Sequence, residues 1–249
     1  MTASKPTILF VPGAWHSSHC FDQVSDILKQ TGYPTDFVEL PSVGPSKHLA
    51  NFDPDVEAIR KQVTKAVSGG QDVVIVAHSY GGIPMCEAMK GLATKGPESG
   101  KQGNVKHLIF CASFVIPEEA SLMSTLGGQD LPWFRVTPDK LEIRPDSPEE
   151  IFYGDLTPEV TAEAVAKLKP HSYQSMHSPL TYAAWKHVPS TYIYCTQDAA
   201  IPIAVQKMMV EQTAKGTGMR TEELDASHSP MLSQPKNVAE AIGRAAESS

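Results

Sequence analysis

The stretch "VVIVAHSYGGIPM", residues 73 to 85, limits the fold more than any other part of the 249-residue chain. Its first five residues are apolar and mostly β-branched, without polar alternation, which suits a strand buried on both faces as in a parallel sheet. The run stops at His78-Ser79-Tyr80-Gly81-Gly82, and helix-like sequence, "IPMCEAMKGLA", follows at once. A strand that enters a helix through so short a turn bends sharply. It needs small residues where strand and helix approach, and it lifts the residue at the bend clear of the sheet. Ala77 and Gly81 are small, and the residue at the bend is Ser79.

Comparable runs recur at 7–11 ("TILFV"), 36–40 ("DFVEL"), 107–112 ("HLIFCA"), 191–195 ("TYIYC") and 221–225 ("TEELD"), the last the least apolar. Between them the period changes. Phe21, Val24 and Leu28 share one helical face, as do Val56, Ile59, Val63 and Val67. Asp53-Pro54 predicts an N-cap followed by proline at the first helical position, and Gly69-Gly70 predicts the end of that helix. The alternation predicts an α/β fold: a mainly parallel sheet of about six strands flanked by helices.

Residues 117–187 break this rhythm, with prolines, helix starts and no strand-like run. Ser147-Pro148-Glu149-Glu150 predicts a capping box, and Thr157-Pro158 opens a helix through "EVTAEAVAKLK". The expectation is a helical lid inserted after the fourth predicted strand, over the carboxyl ends of the strands where open α/β sheets bind ligands. Residues 1–116 and 188–249 then form the core, and core and lid together make one structural domain.

The net charge of -7 is spread without a basic block, which argues against nucleic acid or an anionic membrane surface as partner. A small molecule that is not strongly anionic is the expected partner, and monomer and homodimer both fit. No apolar run reaches the length of a signal-peptide core or a membrane span, so a cytoplasmic location is expected. The four cysteines are scattered and read as reduced. His16 and His19 have H-x-x-H spacing but no neighbouring carboxylate to complete a metal set, so neither a metal nor a cofactor is expected.

A strand, a tight turn carrying serine and a helix form the context of a nucleophile elbow, whose usual pattern is G-x-S-x-G; here the first glycine is Ala77. A serine capping a helix after a buried strand would give the same local signal, so the rest of the chain must decide. A serine hydroxyl is a poor nucleophile at neutral pH and needs a base, which in turn needs a group to orient it. "CTQDAAIP" places Asp198 after the fifth predicted strand, and "DASHSP" places His228 after the sixth. Both loops belong to the rim that carries Ser79. Asp225 is better placed to cap its own loop, and His78 is expected to point away across the turn. An oxyanion would be met by the amides of Tyr80, which follows the serine, and of Ala14 in "VPGAWHSSH", where Gly13 allows close backbone approach.

With these segments in order, from "ILFVPGAWH" through "AHSYGG" and "SPLTYAAW" to "YCTQDAAIP" and "SHSPML", the chain resembles the α/β-hydrolases. Within them it is similar to the group of short esterases, plant methyl esterases and plant hydroxynitrile lyases. The resemblance implies Ser79 as nucleophile, Asp198 as orienting acid, His228 as general base and the amides of Ala14 and Tyr80 as oxyanion donors. Trp15, Trp133, Phe134 and Tyr182 are the candidates for lining the substrate pocket. Related lyases carry threonine where this chain has Gly13 and lysine where it has Ser229, so hydrolysis of a small, fairly apolar ester, thioester or lactone is the favoured activity. A non-hydrolytic lyase or cyclase, or a ligand-binding receptor, would use the same pocket.

Overall fold

All six apolar runs become strands of one sheet. In the computed structural model, which describes residues 5–92 and 103–248, the chain opens with β1 (Thr7–Val11), α1 (Asp22–Gln30), β2 (Thr35–Phe37) and α2 (Asp53–Ser68). It continues through β3 (Val73–Ser79), α3 (Gly82–Ala88) and β4 (Val105–Ser113). The expected strand at 36–40 is shorter and begins one residue earlier, because only Thr35 to Phe37 pair with β1. The beginning of "MTASKP" and the last residue of "IPMCEAMKGLA" lie outside the described residues.

Between β4 and the next sheet strand lie α4 (Leu122–Thr125), β5 (Phe134–Val136), β6 (Glu142–Pro145), α5 (Pro148–Phe152), α6 (Pro158–Ala166) and β7 (His171–Ser172). The chain ends with β8 (Ser190–Cys195), α7 (Ile203–Met208), β9 (Arg220–Leu224), α8 (Pro230–Ser233) and α9 (Pro235–Glu247). The main sheet has the order β2-β1-β3-β4-β8-β9, with every neighbouring pair parallel.

Strand alternation divides the core into two layers. Phe10, Val76 and Ile109 stand side by side in register on one face, packed with Val24 and Leu28 of α1 and Val238 and Ile242 of α9. Leu9, Ile75 and Leu108 form the matching row on the other face, packed with Val56, Ile59 and Val63 of α2. Val24, Ile59 and Val63 have no exposed surface, and full burial of such a side chain stabilises the fold by about 1.5–3 kcal/mol. The α2 cap differs from expectation. Phe52 is the N-cap residue, Asp53 is already helical, and the Asp53 N–H is taken by the Asn51 side chain at 3.0 Å. No side chain caps the helix; the Phe52 carbonyl accepts the Asp55 and Val56 amides instead.

The segment between β4 and β8 is not purely helical: β5, β6 and β7 form an antiparallel sheet. These strands have two to four residues, with Arg135, Arg144 and Pro145 among them, too short and too polar for a period of two to stand out. Thr157 caps α6 through its side chain as expected. Ser147 does not form the expected capping box. Its φ of 48° is left-handed and no side-chain cap bond is made, because a capping side chain reaches the helical N–H groups from extended backbone.

β1 lies between β2 and β3, so the chain first steps outward and then crosses back before continuing to the far edge. The carboxyl ends of β1 and β3 flank that reversal, the place where an open sheet leaves a crevice.

Candidate active site

Ser79 ends β3 with φ of 51°, a left-handed conformation that costs a non-glycine residue about 1–3 kcal/mol and persists only where the surroundings over-determine it. They do so here. The Ser79 carbonyl accepts Ser113 Oγ at 2.8 Å and the Phe114 N–H at 3.1 Å, and the Gly81 N–H closes the turn onto the His78 carbonyl at 2.9 Å. The β3–β4 register slips at the same level, between His78 and Ser79.

The glycines around Ser79 are steric requirements. A Cβ on Gly81 would lie 2.4 Å from the Pro12 carbonyl oxygen, and one on Gly82 would lie 2.4 Å from Ser113 Oγ. One on Gly13 would lie 2.8 Å from Cβ of Ser79 itself. The loop after β1 is thus pressed against the serine turn.

Asp198 and His228, 30 residues apart, meet after β8 and β9: His228 Nδ1 lies 2.8 Å from Asp198 Oδ2, with both side chains almost wholly buried. Asp198 Oδ1 accepts the amides of Ala200 and Ile201, each at 2.8 Å. Gln206, fully buried on α7, reaches Asp198 Oδ2 at 3.3 Å and also bonds both backbone groups of Cys195. A carboxylate can only accept, so in the neutral ring His228 Nδ1 carries the proton and Nε2 keeps the lone pair. Asp225, as expected, caps its own loop, accepting from Thr196 Oγ1 at 2.8 Å and Gln197 Nε2 at 2.9 Å.

His78 does not point away from the site. Its Nε2 donates to the His228 carbonyl at 2.8 Å and its ring lies 4.6 Å from that of His228. Burial, reinforced by His228 and His16, holds its pKa well below the usual imidazole range. His16 is buried as well. Desolvation pushes its pKa down to about 4, so Nδ1–H donates to the Ala14 carbonyl and Nε2 accepts the Tyr153 hydroxyl, both at 2.8 Å. A second tie holds the His228 loop: the Ser227 N–H bonds Asp155 at 3.0 Å, and the Ser227 hydroxyl bonds the same carboxylate.

Ser79, His228, Ala14 and Tyr80 line one cavity together with Trp15, Trp133 and Phe134. The structure therefore brings together every expected site residue except Asp198, which stands behind His228, and Tyr182. Tyr182 is not among the lining residues; it stacks on His187 at 4.9 Å, and Glu87 accepts its backbone N–H. Trp15, with φ of 64°, donates its ring N–H to the Ile143 carbonyl at 3.0 Å and stacks on Phe152 at 5.6 Å.

Phe152, Phe114, Leu122 and Met176 also line the cavity and went unnoticed in the sequence. Phe114 lies in the loop after β4 and the other three in separate short elements, so their apolar residues have no shared period. No Asp, Glu, Lys or Arg among the described residues lines the cavity. Among the described residues no group of His, Cys, Asp or Glu is arranged to hold a metal ion, and no helix is long and apolar enough to cross a membrane.

Residues 8–241 match the family model described as "Alpha/beta hydrolase family". The chain is 35% identical over 249 residues to "Alpha/beta hydrolase nvfD" of Aspergillus novofumigatus, covering 97% of each. It is 26% identical to "Probable hydrolase R7" of a Phoma species, covering 98% of this chain and 99% of that one. The solved structure of polyneuridine aldehyde esterase superposes with a TM-score of 0.77 at 19% identity, covering 96% of this chain and 98% of the other.

Proposed function

The chain belongs to the alpha/beta hydrolase family, and from that membership we propose that it is a serine hydrolase of carboxylesterase or lactonase type. Its substrate is a small, uncharged, fairly apolar ester, thioester or lactone. The observation that carries this reading is a buried imidazole, held by Asp198 at 2.8 Å, lining the same cavity as a serine in a left-handed turn.

Ser79 Oγ attacks the substrate carbonyl while His228 Nε2 takes the hydroxyl proton. Asp198 fixes the ring tautomer that leaves Nε2 free and stabilises the imidazolium that forms. The negative charge on the former carbonyl oxygen is met by the amides of Ala14 and Tyr80. The imidazolium then returns its proton to the leaving alcohol, thiol or opened ring oxygen, and the acyl group stays on Ser79. Water, deprotonated by the same histidine, releases the acid.

The absence of charged side chains among the described residues that line the cavity supports an uncharged substrate, because an ion in such surroundings would lose its hydration without a partner. The residue after His228 is Ser229, fully buried with no hydrogen-bond partner for its hydroxyl among the described residues. With no cation at that position to hold a departing anion such as cyanide, hydrolysis is favoured over cyanohydrin cleavage. The segment between β4 and β8 acts as the lid, its Trp133 and Phe134 reaching the cavity.

A fluorophosphonate probe tests the reading. Wild-type protein is expected to label on Ser79, and Ser79→Ala and His228→Ala to lose both labelling and p-nitrophenyl ester turnover, the latter by about 10⁴-fold or more. Labelling of folded Ser79→Ala equal to wild type would refute it.

A further inference from the structure

Asp55, in the first turn of α2, is a carboxylic acid with no exposed surface, set beside Val56 and Ile59 in the apolar layer beneath the sheet. Oδ1 accepts the Ser42 N–H at 2.8 Å and Oδ2 accepts the Tyr80 hydroxyl at 3.0 Å. No ion pair to it is found among the described residues, and desolvation is what pushes its pKa up, to about 6. A fold gains nothing from a buried carboxylate that an apolar residue of like volume would not give more cheaply. Its place therefore calls for another reason.

Tyr80 supplies one. It follows Ser79 directly, is 1% exposed, and its ring runs away from the serine turn to end on Asp55. The His171 ring packs against the Tyr80 ring in a T-shaped contact, 4.8 Å between centroids; burial holds His171 neutral, with its pKa down at about 3. A tyrosine clamped at its hydroxyl and boxed at its ring has one rotamer available, so its backbone is fixed as well.

We propose that Asp55 is a positioning residue: by holding the Tyr80 hydroxyl it fixes the peptide joining Ser79 to Tyr80, whose N–H stabilises the oxyanion. This rests on the serine-hydrolase reading above. An amide aimed at a developing charge is effective only when its position is fixed before the charge appears. Asp55 thus acts on the transition state through the length of the Tyr80 side chain, without touching substrate.

Wild type, Tyr80→Phe and Asp55→Asn are compared for the rate of fluorophosphonate labelling, for kcat and KM on one p-nitrophenyl ester, and for inhibition by a trifluoromethyl ketone, whose tetrahedral adduct places an oxyanion in the same position. Misaligning one donor is expected to cost less than deleting it. Both variants should lose about tenfold in kcat, in labelling rate and in ketone affinity, with KM within about twofold. Thermal melting establishes that each variant is folded. Tyr80→Phe removes a single oxygen and carries the test alone should Asp55→Asn fail to fold. Unchanged kcat and ketone affinity in variants of a wild type that labels normally would overturn this inference alone, as would a rise in KM at constant kcat. A folded wild type that never labels would overturn the nucleophile reading and this inference with it.

Discussion

Replacing Asp55 by asparagine changes the stability of the protein in a direction that depends on pH. Burial raises the Asp55 pKa from 3.8 to about 6, so the folded state holds this proton more tightly than the unfolded chain does. The stability that follows is fully present below pH 3.8 and is lost as pH rises through about 6. Each unit of difference is worth about 1.4 kcal/mol, which makes the whole effect about 3 kcal/mol. Asparagine has nearly the same shape and no such proton. Its altered hydrogen bonds with Ser42 and Tyr80 therefore add an offset that does not vary with pH. Urea unfolding of wild type and Asp55→Asn, at intervals from about pH 4 to pH 7, gives the difference between their unfolding free energies. Wild type should lose about 2 kcal/mol relative to the variant across that range, mostly between pH 4 and 6, with the difference level above and the remainder of the effect lying below pH 4. Taking the difference cancels the buried histidines His16, His78, His107 and His171, whose lowered pKa values destabilise both proteins alike as the pH falls. Parallel curves, or a difference of opposite slope, would refute the claim that desolvation dominates at Asp55.

Two further substitutions test the site geometry. In Asp198→Asn the amide oxygen can keep the bonds from Ala200 and Ile201 that Oδ1 now accepts, which turns an NH2 toward His228 Nδ1. The ring must then carry its proton on Nε2 and can no longer accept one from Ser79, so kcat should fall by about 10⁴-fold with folding retained, read by steady-state kinetics and near-ultraviolet circular dichroism. Gly13→Ala forces a methyl group to within 2.8 Å of Ser79 Cβ. The loop after β1 must shift, and activity should fall by about 100-fold while overpacking removes about 1–3 kcal/mol of stability, measured by ester hydrolysis and thermal melting.

What was legible in the sequence follows from how far each signal reaches along the chain. A strand buried on both faces declares itself in five residues, as "VVIVA" does, because every position needs an apolar side chain. The weakest of the six runs, "TEELD", still became the edge strand β9, pairing from Thr191↔Arg220 to Cys195↔Leu224. An edge strand tolerates the charges that made it hard to recognise. The strands β5, β6 and β7 were invisible because they hold themselves together by pairing across the segment, Phe134 with Pro145 and Ile143 with His171, and nothing in so few residues anticipates a partner. His78 was misjudged for a similar reason: its hydrogen-bond partner, the His228 carbonyl, is 150 residues away. Tyr182 is as aromatic as Trp133, and only the path of the chain separates the ring that lines the cavity from the one that stacks on His187.

The sequence by itself determined the alternation of strand and helix, the bend that carries Ser79, and the order in which serine, acid and histidine follow separate strands. Those are properties of neighbouring residues, set by side-chain volume, period and backbone freedom. Only the tertiary structure decided that His228 meets Asp198 at 2.8 Å, that Phe152 rather than Tyr182 faces the cavity, and that a buried carboxylate on α2 grips the residue after the serine. Hydrogen bonds and ring contacts form over a few ångströms of space. The distance along the chain between the groups that make them, 25 residues for Tyr80 and Asp55 and 30 for His228 and Asp198, is closed only when the sheet assembles.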